Sequence, residues 1–382
     1  MSSAAHIVVN ALSARTGGGL TYARNFLARI EPRGGIKISV LAAPWQREML
    51  PDGPYEFVSC GFAGRGIVHQ LLWERFVLPR LLRRLSADVY YVLSGTLAGR
   101  TPAGCKSVVA FRNLLPFTPE FRRCYPLGYI RLRLAVLRVT QARSMQRADL
   151  VIFVSEHGRD VIGELLPNRR GRTVVIPHGV GGDFVIDAPP EGDGDRSRWP
   201  GGYVFYASIL DVYKAQIEVV EAWAALRRRC PTPEKLVLGG PEFEPYGERV
   251  RRRIAELSLE DEVVMIGPVS HAELVPLYRG AIVNVFASRC ENCPNILLEA
   301  LASGRPIVCS TDPPMPEFGG DAVLYFDPPK PEQLTDQLAR LLDDPESRRR
   351  LGRAAHEHSR EYSVDRAMRE TWQTLADLAL ED

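Results

Sequence analysis

Short apolar runs rich in Val and Ile alternate along the chain with longer stretches of helical period. The first half carries HIVVNAL (6–12), IKISVLAA (36–43), DVYYVLS (88–94), SVVAF (107–111), LVIFVS (150–155) and TVVIPHGV (173–180). The second carries YVFYAS (203–208), KLVLGG (235–240), EVVMIG (262–267), IVNVFAS (282–288), PIVCS (306–310) and AVLYF (322–326). These runs are continuous rather than alternating, which suits parallel strands covered on both faces. Helical stretches between most of them give repeated βαβ units. The pattern breaks at FVIDAPPEGDGDRSRWPGG (184–202), which has no apolar period and reads as a connection between two α/β domains. Beyond Phe326 the chain turns helical, with a final helix from about Val364. The expected division is a first domain at 1–184, a linker at 185–202, a second domain at 203–360 and a terminal segment at 361–382.

A chain of 382 residues exceeds one ordinary core, in agreement with two domains. At 45% apolar and 25% charged residues the composition is globular, and a net charge of +2 gives no global reason to expect nucleic acid. The start, MSSAAHIVVNAL, lacks a charged leader region, and no apolar stretch of about 20 residues is present, so a cytoplasmic chain without a spanning helix is expected. Seven scattered cysteines read as reduced thiols. Cys290 and Cys293 form a C-x-x-C, but no second pair complements it, and no metal is expected.

Ligands of open α/β sheets bind beyond the carboxyl ends of the strands. After the first strand, Gly17-Gly18-Gly19 precedes a helix and offers close backbone approach. Arg112-Asn113 follows SVVAF, and Ser155-Glu156 follows LVIFVS, where capping alone explains both residues. His178 ends the first half and defaults to a structural role. In the second half Lys214 reads as lying in the first turn of a helix, where the dipole disfavours a cation unless an anion also arrives. Ser208, Gly240, Gly267 and Val269 follow their strands, and Ser270 with Glu273 makes a capping box.

The stretch CENCPNILLEALASGRPIVCS (290–310) carries Glu291 in a loop and Glu299 about one turn inside a helix that begins near Pro294 or Asn295. Two carboxylates and the helix start around Asn295 and Ile296 suit a polyhydroxylated, phosphorylated ligand. Carboxylates accept from vicinal hydroxyls, while Lys214 and backbone N–H groups hold negative charge.

ENCPNILLEALASGRPIV resembles the E-x7-E signature of the retaining glycosyltransferases of family 4, and the accompanying pieces fall in order: glycines 17–19, ADLVIFVSE, VIPHGV, Lys214, LVLGGP, IGPVS and AELVPLYRGA. The resemblance implies a GT-B fold: two Rossmann-like domains facing across a cleft, the last helix crossing back to the first. It implies Glu291 on the donor sugar, Glu299 on the ribose, Lys214 on the diphosphate, and backbone of Asn295 and Ile296 at the phosphate. Ser208, Gly240, Gly267 and Val269 would join the donor site. Gly17–Gly19, Asn113, Ser155, Glu156 and His178 would serve the phosphate and acceptor side. The family's usual Arg before the Lys is absent, its place falling at Ser208, and Arg112 stands where many members have a His. Arg112 either replaces the missing charge or binds an acidic acceptor. The implied reaction uses no cofactor beyond the nucleotide sugar, and GDP-mannose is the expected donor.

Segments 65–84 and 119–147 are basic and apolar, which suits either contact with anionic lipid and a polyprenyl-linked acceptor or ordinary solvated helices. Two other functions compete. A dinucleotide-dependent oxidoreductase would need G-x-G-x-x-G after a strand, which neither half provides. A non-catalytic GT-B carbohydrate-binding protein accords with the missing Arg but not with the retained Glu291, Glu299 and Lys214.

Overall fold

A computed structural model describes residues 5–31, 35–190, 192, 194–230 and 232–381. Residues 1–4, Glu191 and Asp193 of the expected linker, and Asp382 of the terminal segment lie outside the described residues.

Seven strands form the first sheet: β1 (Ala5–Asn10), β2 (Ile36–Ala42), β3 (Glu56–Ser59), β4 (Val89–Val92), β5 (Lys106–Phe111), β6 (Leu150–Phe153) and β7 (Arg172–Val175). Their order is β3-β2-β1-β4-β5-β6-β7, all pairs parallel, with Val9 opposite both Val40 and Tyr91. The apolar runs locate every strand but β3, a four-residue edge strand whose half-exposed sequence EFVS forms no continuous apolar run. Helices Gly17–Ala28 and Val364–Leu380 share one core with β1, β2 and β4. Trp372 stacks on Phe26 at 4.2 Å between centroids, and its indole N–H donates to the Phe26 carbonyl at 3.0 Å. A separate core lies against the other side chains of the sheet, joining helices Ile67–Phe76, Leu78–Arg84, Tyr129–Arg147 and Glu156–Leu165 through Trp73, Leu82, Met145 and Ile162.

Six strands form the second sheet: β8 (Tyr203–Ala207), β9 (Lys235–Gly239), β10 (Val263–Gly267), β11 (Val283–Phe286), β12 (Ile307–Ser310) and β13 (Leu324–Phe326). They run parallel in the order β10-β9-β8-β11-β12-β13 around a core that includes Trp223, Phe205 and Phe286. Both sheets are doubly wound: strand order reverses between β1 and β4 and between β8 and β11.

The chain divides into two compact units, one running through Phe117, from Tyr125 to Pro177 and from Val364 onward, the other comprising Thr118–Cys124 and His178–Ser363. Two assignments shift relative to the expected boundaries. Residues 178–184 belong to the second unit, where the Val180 amide donates to the Tyr362 carbonyl at 2.8 Å. Thr118–Cys124 also joins it: Arg289 pairs with Glu120 at 3.1 Å and sits 5.2 Å over the Phe121 ring.

Candidate functional site

The reversal between β8 and β11 decides what meets at the carboxyl edge of the second sheet. These parallel neighbours send their following segments into the same crevice. The segment after β8 carries Lys214 and the segment after β11 carries Glu291, and the Lys214 ammonium forms an ion pair with the Glu291 carboxylate. The Lys214 side chain is 5% exposed and that of Glu291 17%. Ser288 Oγ donates to the same Glu291 oxygen at 2.7 Å, and Lys214 Nζ lies 5.6 Å from the Phe286 ring centre and 5.0 Å from that of Tyr213.

Lys214 does not lie in a helical turn, as the apolar period suggested. Its amide donates to the Asp211 carbonyl at 2.8 Å, and its own carbonyl accepts from the Tyr206 hydroxyl at 2.7 Å. Ala215 then takes a left-handed conformation with φ of 52°, so the helix begins only at Gln216. Tertiary bonds, rather than a helix dipole, fix this cation.

Helix Asn295–Ala302 follows β11 directly and places its first-turn amides at the same edge. Asn295, at its first position, meets His178 through Oδ1 and Nδ1 at 3.2 Å. The structure therefore puts His178 in the second unit with the helix start, not with the first-unit residues to which the family pattern assigned it. Glu299 sits one turn in, and Tyr278 donates to its Oε2 at 3.3 Å. Burial pushes the Glu299 carboxyl up to about 7, partly offset by the Tyr278 hydroxyl. Ile296 is half-buried against the core.

The remaining second-unit candidates shape the edge. Ser208 is buried and its hydroxyl donates to the Ile209 carbonyl at 3.0 Å. Gly240 has φ of 149°, and a Cβ there would lie 2.0 Å from the Ser208 carbonyl oxygen, so only glycine lets the β8 and β9 exits approach. The Gly240 amide donates to the Gly267 carbonyl at 2.8 Å, linking the β9 and β10 exits, and Val269 packs on the core. Arg289, in the Glu291 loop, turns to Asp312 at 3.4 Å and Glu120 at 3.1 Å. Burial pushes the Cys290 thiol up to about 12 and raises that of Cys293 also. Among the described residues no group of three or more His, Cys, Asp or Glu side chains is arranged to hold a metal ion.

In the first unit, the expected glycine loop is instead the opening turn of helix Gly17–Ala28. Glycine's poor helix propensity hides this in the sequence. A Cβ at Gly17, Gly18 or Gly19 would meet nothing within 4 Å, so the turn presents bare backbone to open space. Arg112 stacks its guanidinium 3.3 Å from the ring centre of Tyr22, a residue of that helix, and Tyr22 and Tyr91 join hydroxyls at 3.1 Å. Asn113 caps a local turn by accepting from the Leu115 amide at 3.2 Å. Ser155 caps helix Glu156–Leu165 by accepting from the Gly158 amide at 2.9 Å, and Glu156 pairs with Arg159 on the surface.

Sequence reasoning missed Ser288, Tyr278 and Tyr22. Ser288 stands three residues before Glu291, a spacing that signals a local contact. Tyr278 and Tyr22 arrive through packing and leave no local mark.

Two doubly wound parallel domains, one holding a buried lysine–carboxylate pair beside a helix start at its switch point, define the GT-B class of fold. The description "Glycosyl transferases group 1" fits residues 200–358, and "Glycosyltransferase Family 4" fits residues 16–182. The chain belongs to the family 4 type of glycosyltransferases. It is 29% identical over 239 residues to the D-inositol 3-phosphate glycosyltransferase of Corynebacterium efficiens, covering 59% of this chain and 56% of that protein. It is 30% identical over 237 residues to the MMP alpha-(1->4)-mannosyltransferase of Mycolicibacterium hassiacum, covering 61% of this chain and 53% of that one. The matched region thus spans little more than half of these relatives. Anabaena HepE in complex with UDP and glucose shares the fold, with a TM-score of 0.69 at 17% identity, covering 98% of this chain and 100% of that one.

Proposed function

We propose that the protein is a retaining glycosyltransferase that moves a hexose from a nucleoside diphosphate sugar to a glycan or polyprenyl-linked acceptor in cell-surface polysaccharide synthesis, working in the cytoplasm at the inner face of a membrane. The observation that carries this reading is the buried Lys214–Glu291 pair at the β8/β11 switch point, with Glu299, bonded by Tyr278, on the adjoining helix. An arriving diphosphate gives Lys214 a second anionic partner, and the Ile296 amide at the helix start supplies a further donor, that of Asn295 already donating to the Cys293 carbonyl at 3.0 Å. Glu291 then accepts from sugar hydroxyls and Glu299 from the ribose.

In the reaction the bond between the anomeric carbon and the phosphate oxygen breaks and an acceptor hydroxyl oxygen bonds the same face of that carbon. The hydroxyl proton passes to the departing phosphate, so no carboxylate nucleophile is called on. Lys214 and the helix start stabilise the charge that grows on the leaving diphosphate, which favours the transition state over the ground state. Neutralisation by protein groups leaves no step that calls on a cofactor. Arg112, stacked on Tyr22, serves an acidic acceptor.

The mannosyltransferase among the relatives supports mannose as the transferred sugar, in keeping with GDP-mannose, and the UDP-bound structure of a protein of the same fold supports a UDP-sugar instead. Thermal-shift measurements against UDP-, GDP-, ADP- and dTDP-sugars decide between them. A ligand at about 100 times its Kd adds about 2.7 kcal/mol, so the true donor stands out. Turnover of that donor with retained anomeric configuration supports the proposal, and binding without turnover would instead mark a non-catalytic carbohydrate-binding protein.

A further inference from the structure

Ten of the fifteen large apolar side chains that stand exposed among the described residues fall in two stretches of the first unit, 68–77 and 127–139. Val68, Leu71 and Phe76 mark the outer side of helix Ile67–Phe76. On helix Tyr129–Arg147, Leu132, Val136 and Val139 recur at spacings of four and three, which makes one stripe, while Leu134, Gln141, Ser144 and Met145 are buried. Trp73 and Met145 share a core, so both helices cover the same side of the sheet. Both also touch the segment after β4: the Leu97 amide donates to Ser144 Oγ at 2.8 Å, and Gly99 packs on the Glu74 carbonyl.

The charge around these stripes has one sign. Residues 125–148 contain five arginines and no Asp, Glu or Lys. Residues 65–84 contain five more, and Glu74, their one acid, is 3% exposed and bonded to Asn10 and Gln70 inside the unit. Arg133 and Arg138 are exposed on opposite flanks of the Leu132–Val136–Val139 stripe.

We infer that these two helices form one docking face for an anionic phospholipid surface. Apolar side chains enter the boundary between headgroups and acyl chains, and the arginines extend their stems sideways to reach phosphate. A second copy of the chain fits poorly, because it would set arginine against arginine. The inference rests on these faces and not on the transfer reaction, so each fails separately.

The test is vesicle flotation of the full chain. Binding is expected to vesicles of equal parts phosphatidylcholine and phosphatidylglycerol, to weaken with added salt, and to be absent with phosphatidylcholine alone. Leu132→Glu with Val136→Glu, and separately Arg133→Gln with Arg138→Gln, should each weaken it at least tenfold while leaving the melting temperature unchanged. Equal binding to neutral vesicles, no binding to anionic ones, or full binding by either variant would overturn the inference. So would a dimer in solution that Leu132→Glu converts to monomer, or vesicle-independent capture of a protein partner by this face.

Discussion

Lys214 and Glu291 are 77 residues apart in sequence and form a buried ion pair, because each follows one of the two parallel strands between which the second sheet reverses its order. Removing either partner leaves the other charge buried and uncompensated. Lys214→Met and Glu291→Leu should each lower stability by about 3 kcal/mol, and the double variant should recover most of that loss. Transfer should stay abolished in all three. Urea unfolding measured beside turnover checks this, and additive destabilisation in the double variant would mean that the pair is not coupled.

Glu299 gives a pH signature. Its carboxyl is pushed from the ordinary 4.5 up to about 7, so between those values the native chain holds a proton that the unfolded chain has released. Native protein then binds more protons, and stability falls as pH rises through that window and levels off above it. Glu299→Gln should flatten the slope and, above the window, exceed the parent in stability by up to about 3 kcal/mol. Donor affinity of the parent should tighten through the same window as the carboxylate forms. Unfolding curves and donor titrations across pH read both effects.

The glycines separate into two kinds. At Gly240, alanine would drive a methyl into the Ser208 carbonyl, so Gly240→Ala should cost 2 kcal/mol or more, on the order of other strained-backbone and overpacking changes. At Gly18, alanine meets open space in a helical turn and should stabilise by roughly 0.5–1 kcal/mol. If bare backbone there meets substrate, Gly18→Ala should nevertheless lower transfer. A Gly18→Ala enzyme with full activity would reduce that turn to a helix start.

The terminal helix belongs to the first unit through Trp372. Truncation to alanine removes a buried stacked ring and orphans the Phe26 carbonyl, at a cost of about 3–5 kcal/mol. Thermal unfolding should show the loss, while donor affinity, assigned by the proposed function to the second unit, should hold.

Twelve of the thirteen strands were legible because parallel strands buried on both faces are written as continuous apolar runs. β3 was not, since an edge strand of four half-exposed residues carries no such run. The capping box at Ser270 and the N-cap at Ser155 were legible because caps are local. The Lys214 turn was not: its left-handed Ala215 and the Tyr206 bond are set by packing. Glu291 and Glu299 stood out as acids within an unusual stretch, yet Tyr278, which donates to Glu299 from 21 residues away, could be placed only by the fold. The membership of Thr118–Cys124 was equally invisible, because it follows from Arg289 reaching Glu120 across 169 residues of sequence.

Calorimetric titration of the donor found by thermal shift into the parent and into Glu299→Ala probes the grip on the nucleotide sugar most directly. Loss of the proposed ribose contact should weaken binding at least tenfold with the fold intact, and the same titration into Lys214→Met should show a comparable loss from the diphosphate. Unchanged affinity in both variants would place the nucleotide sugar somewhere other than the β8/β11 switch point.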